Sequence, residues 1–190
     1  QGKDYELGIK GDYFDGALSA SFGVFKVVQD KLGARTGQKI PGTTTDAYEA
    51  KKGVTSKGFE VDVNGEINQN LSLGLGLTHF NAKDADGKKF DTESSRTTAN
   101  LFAKYSIADF RAGAGVQYKS KIYVGSGANE ITQKAYTLAN LMFGYKISKN
   151  FDIQLNIDNV FNKKYFEGIG NNKMVYGDPR TFNLGFTYSF

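Results

Sequence analysis

The sequence has no cysteine, no tryptophan, two prolines and one histidine in 190 residues. Without cysteine there is no disulfide framework, no thiolate metal site and no cysteine nucleophile. His79, the lone histidine, assembles no Ser-His-Asp set beyond chance. Long apolar runs are also missing. Mean hydropathy is −0.43, and no 18-residue apolar stretch offers a transmembrane helix, although a transmembrane β-barrel leaves no such run. The net charge of +4 comes from cations scattered among 20 acidic residues. They form no basic stripe with interleaved aromatics, so a nucleic-acid partner is not supported. The chain opens on Gln1 without an initiator Met or an apolar leader and reads as a fragment or a processed chain.

Glycine and aromatics are plentiful: 23 Gly, 11 Tyr and 15 Phe. That mix favours strands relieved by glycine over helices. Apolar residues recur at every second position, the period of a strand with one apolar face. Phe182, Leu184, Phe186, Tyr188 and Phe190 oppose Thr181, Asn183, Gly185, Thr187 and Ser189, and Phe151, Ile153, Leu155 and Ile157 oppose Asp152, Gln154, Asn156 and Asp158. Similar rows start at Tyr5, Leu18, Phe59, Leu71, Leu101, Phe110 and Thr137. Nine strands, all short, are expected.

Short connections near 14–17, 68–70, 108–109 and 148–150 alternate with long polar ones at roughly 29–56, 81–95, 124–134 and 168–178. An antiparallel meander gathers the turns at one end and the loops at the other. Segments near the length of a tilted membrane strand, with polar, Gly-rich opposite faces, indicate an all-β, up-and-down transmembrane barrel. The rival is a soluble two-sheet sandwich whose apolar faces meet. Aromatics at the turn end, including Tyr105, Phe110, Tyr145, Phe151, Tyr188 and Phe190, suit an interfacial girdle. Nine is odd, and bacterial single-chain barrels use even strand numbers. Residues 1–190 are therefore expected to be the C-terminal part of a larger barrel.

The stretch Asp84-Ala85-Asp86-Gly87 reads as a solvated turn, because Ala82 would occupy the first ligand position of an EF-hand register. Arg96, Lys119, Lys121, Lys134 and Arg180 either draw in an anionic ligand or pair with Asp12, Glu60, Asp62, Glu66, Asp152 or Asp158 across neighbouring strands. The paired reading is preferred for those deep in the wall.

Several motifs, in order, resemble the C-terminal part of TonB-dependent outer-membrane siderophore receptors. The most specific is Asn156-Ile157-Asp158-Asn159-Val160-Phe161-Asn162-Lys163-Lys164-Tyr165, followed by Tyr176-Gly177-Asp178-Pro179-Arg180. Asn183, Gly185, Tyr188 and Phe190 resemble the outer-membrane assembly signal read by the barrel assembly machinery. Ser56-Lys57-Gly58-Phe59-Glu60-Val61, Gly113-Ala114-Gly115-Val116 and Tyr5-Glu6-Leu7-Gly8 are weaker matches.

The resemblance implies a bacterial outer-membrane receptor and transporter for a ferric siderophore, not an enzyme. It implies a 22-stranded barrel, monomeric at full length, in contact with outer-membrane lipid. The barrel would be plugged by an absent N-terminal domain through which the TonB complex supplies energy. Iron would arrive within the chelate, so no protein cofactor or metal site is expected. A large chelate must be caught at the extracellular mouth by aromatic faces and polar donors. The candidates there are His79, Phe80, Tyr123, Tyr136, Tyr165, Phe166 and Tyr176. A barrel for another nutrient, a passive porin and a soluble all-β binding domain remain as alternatives.

Overall fold

A computed structural model describes residues 2–90, 93–125, 130–170 and 173–190. Thirteen strands follow one another among the described residues: β1 (Gly2–Tyr13), β2 (Leu18–Lys39), β3 (Asp46–Glu66), β4 (Leu71–Asp84), β5 (Thr97–Ile107), β6 (Phe110–Lys119), β7 (Ile122–Val124), β8 (Ile131–Gln133), β9 (Tyr136–Lys146), β10 (Phe151–Asp158), β11 (Phe166–Gly170), β12 (Lys173–Tyr176) and β13 (Thr181–Tyr188). Nine of them form one sheet in the order β1-β2-β3-β4-β5-β6-β9-β10-β13. Every pairing is antiparallel, and the sheet is an open wall with β1 and β13 at its edges. The nine expected wall strands and the meander are observed.

Ladder register fixes which side chains share a face. Val63, Leu75, Leu101, Val116 and Ala139 lie abreast on β3, β4, β5, β6 and β9. One residue along, Asp62, Gly76, Asn100 and Gln117 lie abreast on the opposite face. The apolar face is bare: Leu7 and Ile9 are each 75% exposed. In the soluble sandwich a second sheet would cover this face. Here the contacts of the wall strands run only to their sheet neighbours, so that rival fails. Water does not favour so large a bare apolar face, whereas hydrocarbon does once the open edges at β1 and β13 are paired by further strands of a closed barrel.

The turns at 14–17, 68–70, 108–109 and 148–150 lie together at one end, as expected. Asn68 closes one of them with its side-chain oxygen, which accepts from the backbone N–H of Asn70 and of Leu71, each at 2.9 Å. At this end Phe110 lies beside Tyr145, and Phe151 beside Tyr188, giving the aromatic girdle.

Strand length departs from expectation. β2 and β3 span 22 and 21 residues, and the expected loop at 29–56 is mostly their hydrogen-bonded continuation, paired out to Lys39 and Asp46. Those two residues also form an ion pair at the tip. Above the membrane neither face meets lipid, so nothing selects the apolar alternation that marks a strand lower down. The expected loops at 124–134 and 168–178 likewise contain the hairpins β7–β8 and β11–β12. Residues 126–129 and 171–172 of those loops, and 91–92 of the loop at 81–95, lie outside the described residues.

On the inner face, the Arg111 guanidinium on β6 passes across β9 to reach Asp152 on β10, with its Nη2 at 2.7 and 2.8 Å from the two carboxylate oxygens. It crosses at Gly144, where a Cβ would lie 2.7 Å from that same nitrogen. The glycine is what lets the cation span two ladders. Gly144→Leu is expected to lower the urea midpoint of the folded receptor by about as much as Arg111→Gln. The double variant should lose little more, because both changes break one contact.

Candidate ligand-binding site at the long-loop end

The only cluster of buried apolar residues among those described lies outside the wall. Ile122, Val124 and Ile169 are buried against one another, with Ile131 and Phe166 packed around them. They come from β7, β8 and β11, so the two loop hairpins pack into one body above β9 and β10. The Gln133 side-chain oxygen accepts from the Phe166 N–H at 2.9 Å and ties the hairpins together at their base.

Asn159 anchors this body to the wall. It is 4% exposed and sits at a φ of 49°, a left-handed conformation that asparagine tolerates. Its amide nitrogen donates to the carbonyls of Lys163 and Asp178, both at 2.9 Å. Its side-chain oxygen accepts from the Lys163 N–H at 2.8 Å. The turn after β10 and the approach to β13 are thereby held by one side chain.

Beside that anchor, Tyr165 packs against Tyr136 with ring centroids 4.5 Å apart and the rings tilted by 34°. Its ring lies so close to Gly177 that a Cβ there would fall 2.0 Å from the ring. Burial, then the carboxylates of Glu167 and Asp178, hold the Tyr165 phenol above its usual pKa. Phe166 and Tyr176 meet at 4.8 Å. Tyr165, Phe166 and Tyr176 together with Gln133, Asn162, Lys163, Lys164, Gly177 and Pro179 line a hollow of about 460 Å³. Three aromatic residues, two amide residues and two lysines thus border it, a lining suited to a partly apolar, anionic guest.

The remaining candidates divide. Tyr136 is buried behind Tyr165, and its hydroxyl has no hydrogen-bond partner among the described residues. Tyr123 lies apart from the hollow among cations: Arg96 donates to its hydroxyl at 3.3 Å, and the Lys89 and Lys121 ammoniums sit 4.9 and 5.7 Å from its ring centroid. Phe80 faces inward across from Phe25, both against Gly58. His79 faces outward: its ring meets Phe59 at 5.7 Å on the apolar face and hydrogen-bonds Thr97 at 2.8 Å. It stands away from the mouth because the two-residue step from Leu77 keeps it on the outer row.

The expected pairing of wall cations is also corrected. Asp152 pairs with Arg111, which was not among the candidates. Arg96 and Arg180 instead donate to the loop carbonyls of Phe90 and Val160. Asp84 closes a turn, its carboxylate accepting from the N–H groups of Asp86 and Lys88 at 3.0 and 2.8 Å.

A family model for the β-barrel of TonB-dependent receptor-like proteins matches residues 1–160. The chain belongs to that family. Among curated relatives, the ferric-pyoverdine BN7/BN8 receptor of Pseudomonas putida is 33% identical across the whole of this chain and 23% of its own length. The ferric-pyoverdine 358 receptor of the same organism is 30% identical across the whole chain and 24% of its own length. The solved ferripyoverdine receptor of the outer membrane of Pseudomonas aeruginosa, bound to ferripyoverdine, superposes with a TM-score of 0.87 at 28% identity, covering all of this chain and 27% of that one. The chain thus spans about a quarter of the length of these relatives.

As a TonB-dependent receptor barrel segment, this wall resides in the outer membrane, and the family consists of receptors rather than enzymes. The loops at 81–95, 124–134 and 168–178 are then extracellular and the four tight turns periplasmic. Asn183 and Gly185 face the barrel interior, and Tyr188 and Phe190 meet edge to face at 5.3 Å near the periplasmic rim.

Proposed function

We propose that the full-length receptor captures a ferric siderophore at its extracellular mouth and admits it to the periplasm with energy from the TonB complex. The observation that carries this reading is the aromatic and lysine-lined hollow built on Asn159, Tyr165 and Gly177. The cation cluster around Tyr123 supports it, since anionic ferric chelates concentrate at positive, partly enclosed mouths. The names of the relatives point to ferric pyoverdines as the chelate class.

The iron travels inside the chelate, so the segment holds no resident cofactor. The plug and the earlier strands belong to the rest of a monomeric receptor. Asn183, Gly185, Tyr188 and Phe190 present the insertion signal to the barrel assembly machinery.

The test is titration of the full-length receptor in detergent with ferric hydroxamate, catecholate and mixed chelates, following tyrosine fluorescence. Saturable binding of one ferric chelate is expected, absent with the iron-free ligand. The double substitution Tyr165→Ala/Tyr176→Ala should weaken it at least tenfold, about 1.4 kcal/mol. An intact barrel that binds none of the panel would overturn the reading.

A further inference from the structure

From the periplasmic turns upward, the outward rows of the nine wall strands carry no Asp, Glu, Lys or Arg until one height is reached on the extracellular side. There, four lysines appear together on consecutive strands. Lys26 and Lys57 sit directly opposite one another on β2 and β3, with Tyr5 and Asn81 abreast of them. One step higher, Lys3 and Lys83 share a row with Thr55. The four lysines are exposed and form no ion pair among the described residues. Lys26, Lys57 and Lys83 line a common hollow of about 390 Å³ with Thr55 and Asn81. The Asp84 carboxylate at its rim is already engaged by two backbone N–H groups of its own turn.

Like charges placed directly opposite on neighbouring strands destabilise a sheet, and adjacent strands are only about 4.8 Å apart. An anion shared by these lysines removes that repulsion. Immediately below them lies the lipid-facing belt of Phe22, Val24, Phe59 and Val61, so the cluster stands where acyl chains end and headgroups begin. We propose that Lys26, Lys57 and Lys83, flanked by Lys3, bind the phosphate of a phosphorylated outer-leaflet lipid, whose acyl chains lie along the apolar belt. A soluble phosphate has the charge but not the chains, and lacks the second half of this surface.

The experiment is native mass spectrometry of the full-length receptor in detergent, titrated with bis-phosphorylated lipid A. Parallel arms use the same lipid after enzymatic dephosphorylation and inorganic phosphate alone. One retained phosphorylated lipid is expected, with at least tenfold weaker retention in Lys26→Gln/Lys57→Gln/Lys83→Gln. Retention should be unchanged in Lys104→Gln/Lys119→Gln, whose side chains face inward. Heat-modifiable migration in gels verifies folding. Should the triple variant not fold, Lys57→Gln alone, at the centre of the cluster, is expected to weaken retention about threefold, roughly 0.65 kcal/mol. Equal retention by the lysine variants, or of the dephosphorylated lipid by the unaltered receptor, overturns the proposal. So does inorganic phosphate competing at concentrations matching those of the lipid.

Discussion

Asn159→Leu is expected to cost about 3 kcal/mol of folding stability and to abolish most chelate binding, because one buried side chain makes three part-buried hydrogen bonds to the backbone, each with a net worth of about 1 kcal/mol. Leucine has similar volume but neither donates nor accepts, and it resists the left-handed backbone that asparagine adopts at φ 49°. The Lys163 N–H and the carbonyls of Lys163 and Asp178 would lose their partner together. These groups bracket Tyr165 and Gly177, so the loss propagates into the hollow. The check is a urea titration of the folded band together with chelate affinity. Asn140→Ala serves as the reference, removing only the single bond that Asn140 accepts from the Asn159 N–H at 2.9 Å. If Asn159→Leu and Asn140→Ala fall at the same midpoint, Asn159 is not the anchor.

The coupling runs further than one turn. Tyr165 is held between the Tyr136 ring on the wall and the Gly177 backbone on the way to β13, while Gln133 clamps Phe166 from the other hairpin. A ligand that moves Tyr165 therefore pushes on both hairpins and on two wall strands. The two hairpins behave as one body because their apolar residues bury each other. Neither hairpin alone has enough core to stand in water.

The wall was legible because its rule has a single period. Once Leu71, Leu73, Leu75 and Leu77 alternate with Ser72, Gly74 and Gly76, a strand with one apolar and one polar face follows, and the uncovered apolar face of the sheet decides for lipid over a second sheet. The same rule places His79 on the outer row, which height along the strand alone does not reveal. The upper parts of β2 and β3 were illegible because both faces there meet water, and the ladder alone holds them. The hairpins β7–β8 and β11–β12 are too short for alternation to show, although Ile122, Val124 and Ile131 are apolar where a solvated loop needs none. The motif around Asn159 pointed to a specific structure, but its hydrogen bonds became visible only with the fold. Arg111, Gly144 and Asp152 lie on three strands, and their meeting depends on a register that no single segment encodes.

Leu101→Arg should be among the most damaging single changes in the wall, at about 2–4 kcal/mol, the cost of a guanidinium near the bilayer midplane on the lipid face of a barrel. Leu101 is 45% exposed at the middle of β5, abreast of Leu75 and Val116. Its sequence neighbour Asn100 faces the interior beside Gly76 and Gln117. Asn100→Arg should therefore cost far less, since the new charge meets water and polar partners. A one-residue step thus separates a severe defect from a mild one, which sequence composition cannot do but strand parity can. Were this face bathed in water instead, Leu101→Arg would be neutral or would improve solubility, because it replaces an exposed apolar side chain with a charge. Urea midpoints of the two variants folded into phospholipid vesicles decide the matter. Equal midpoints would mean that the apolar rows do not face lipid, and the inward and outward assignment of all nine wall strands would fall with them.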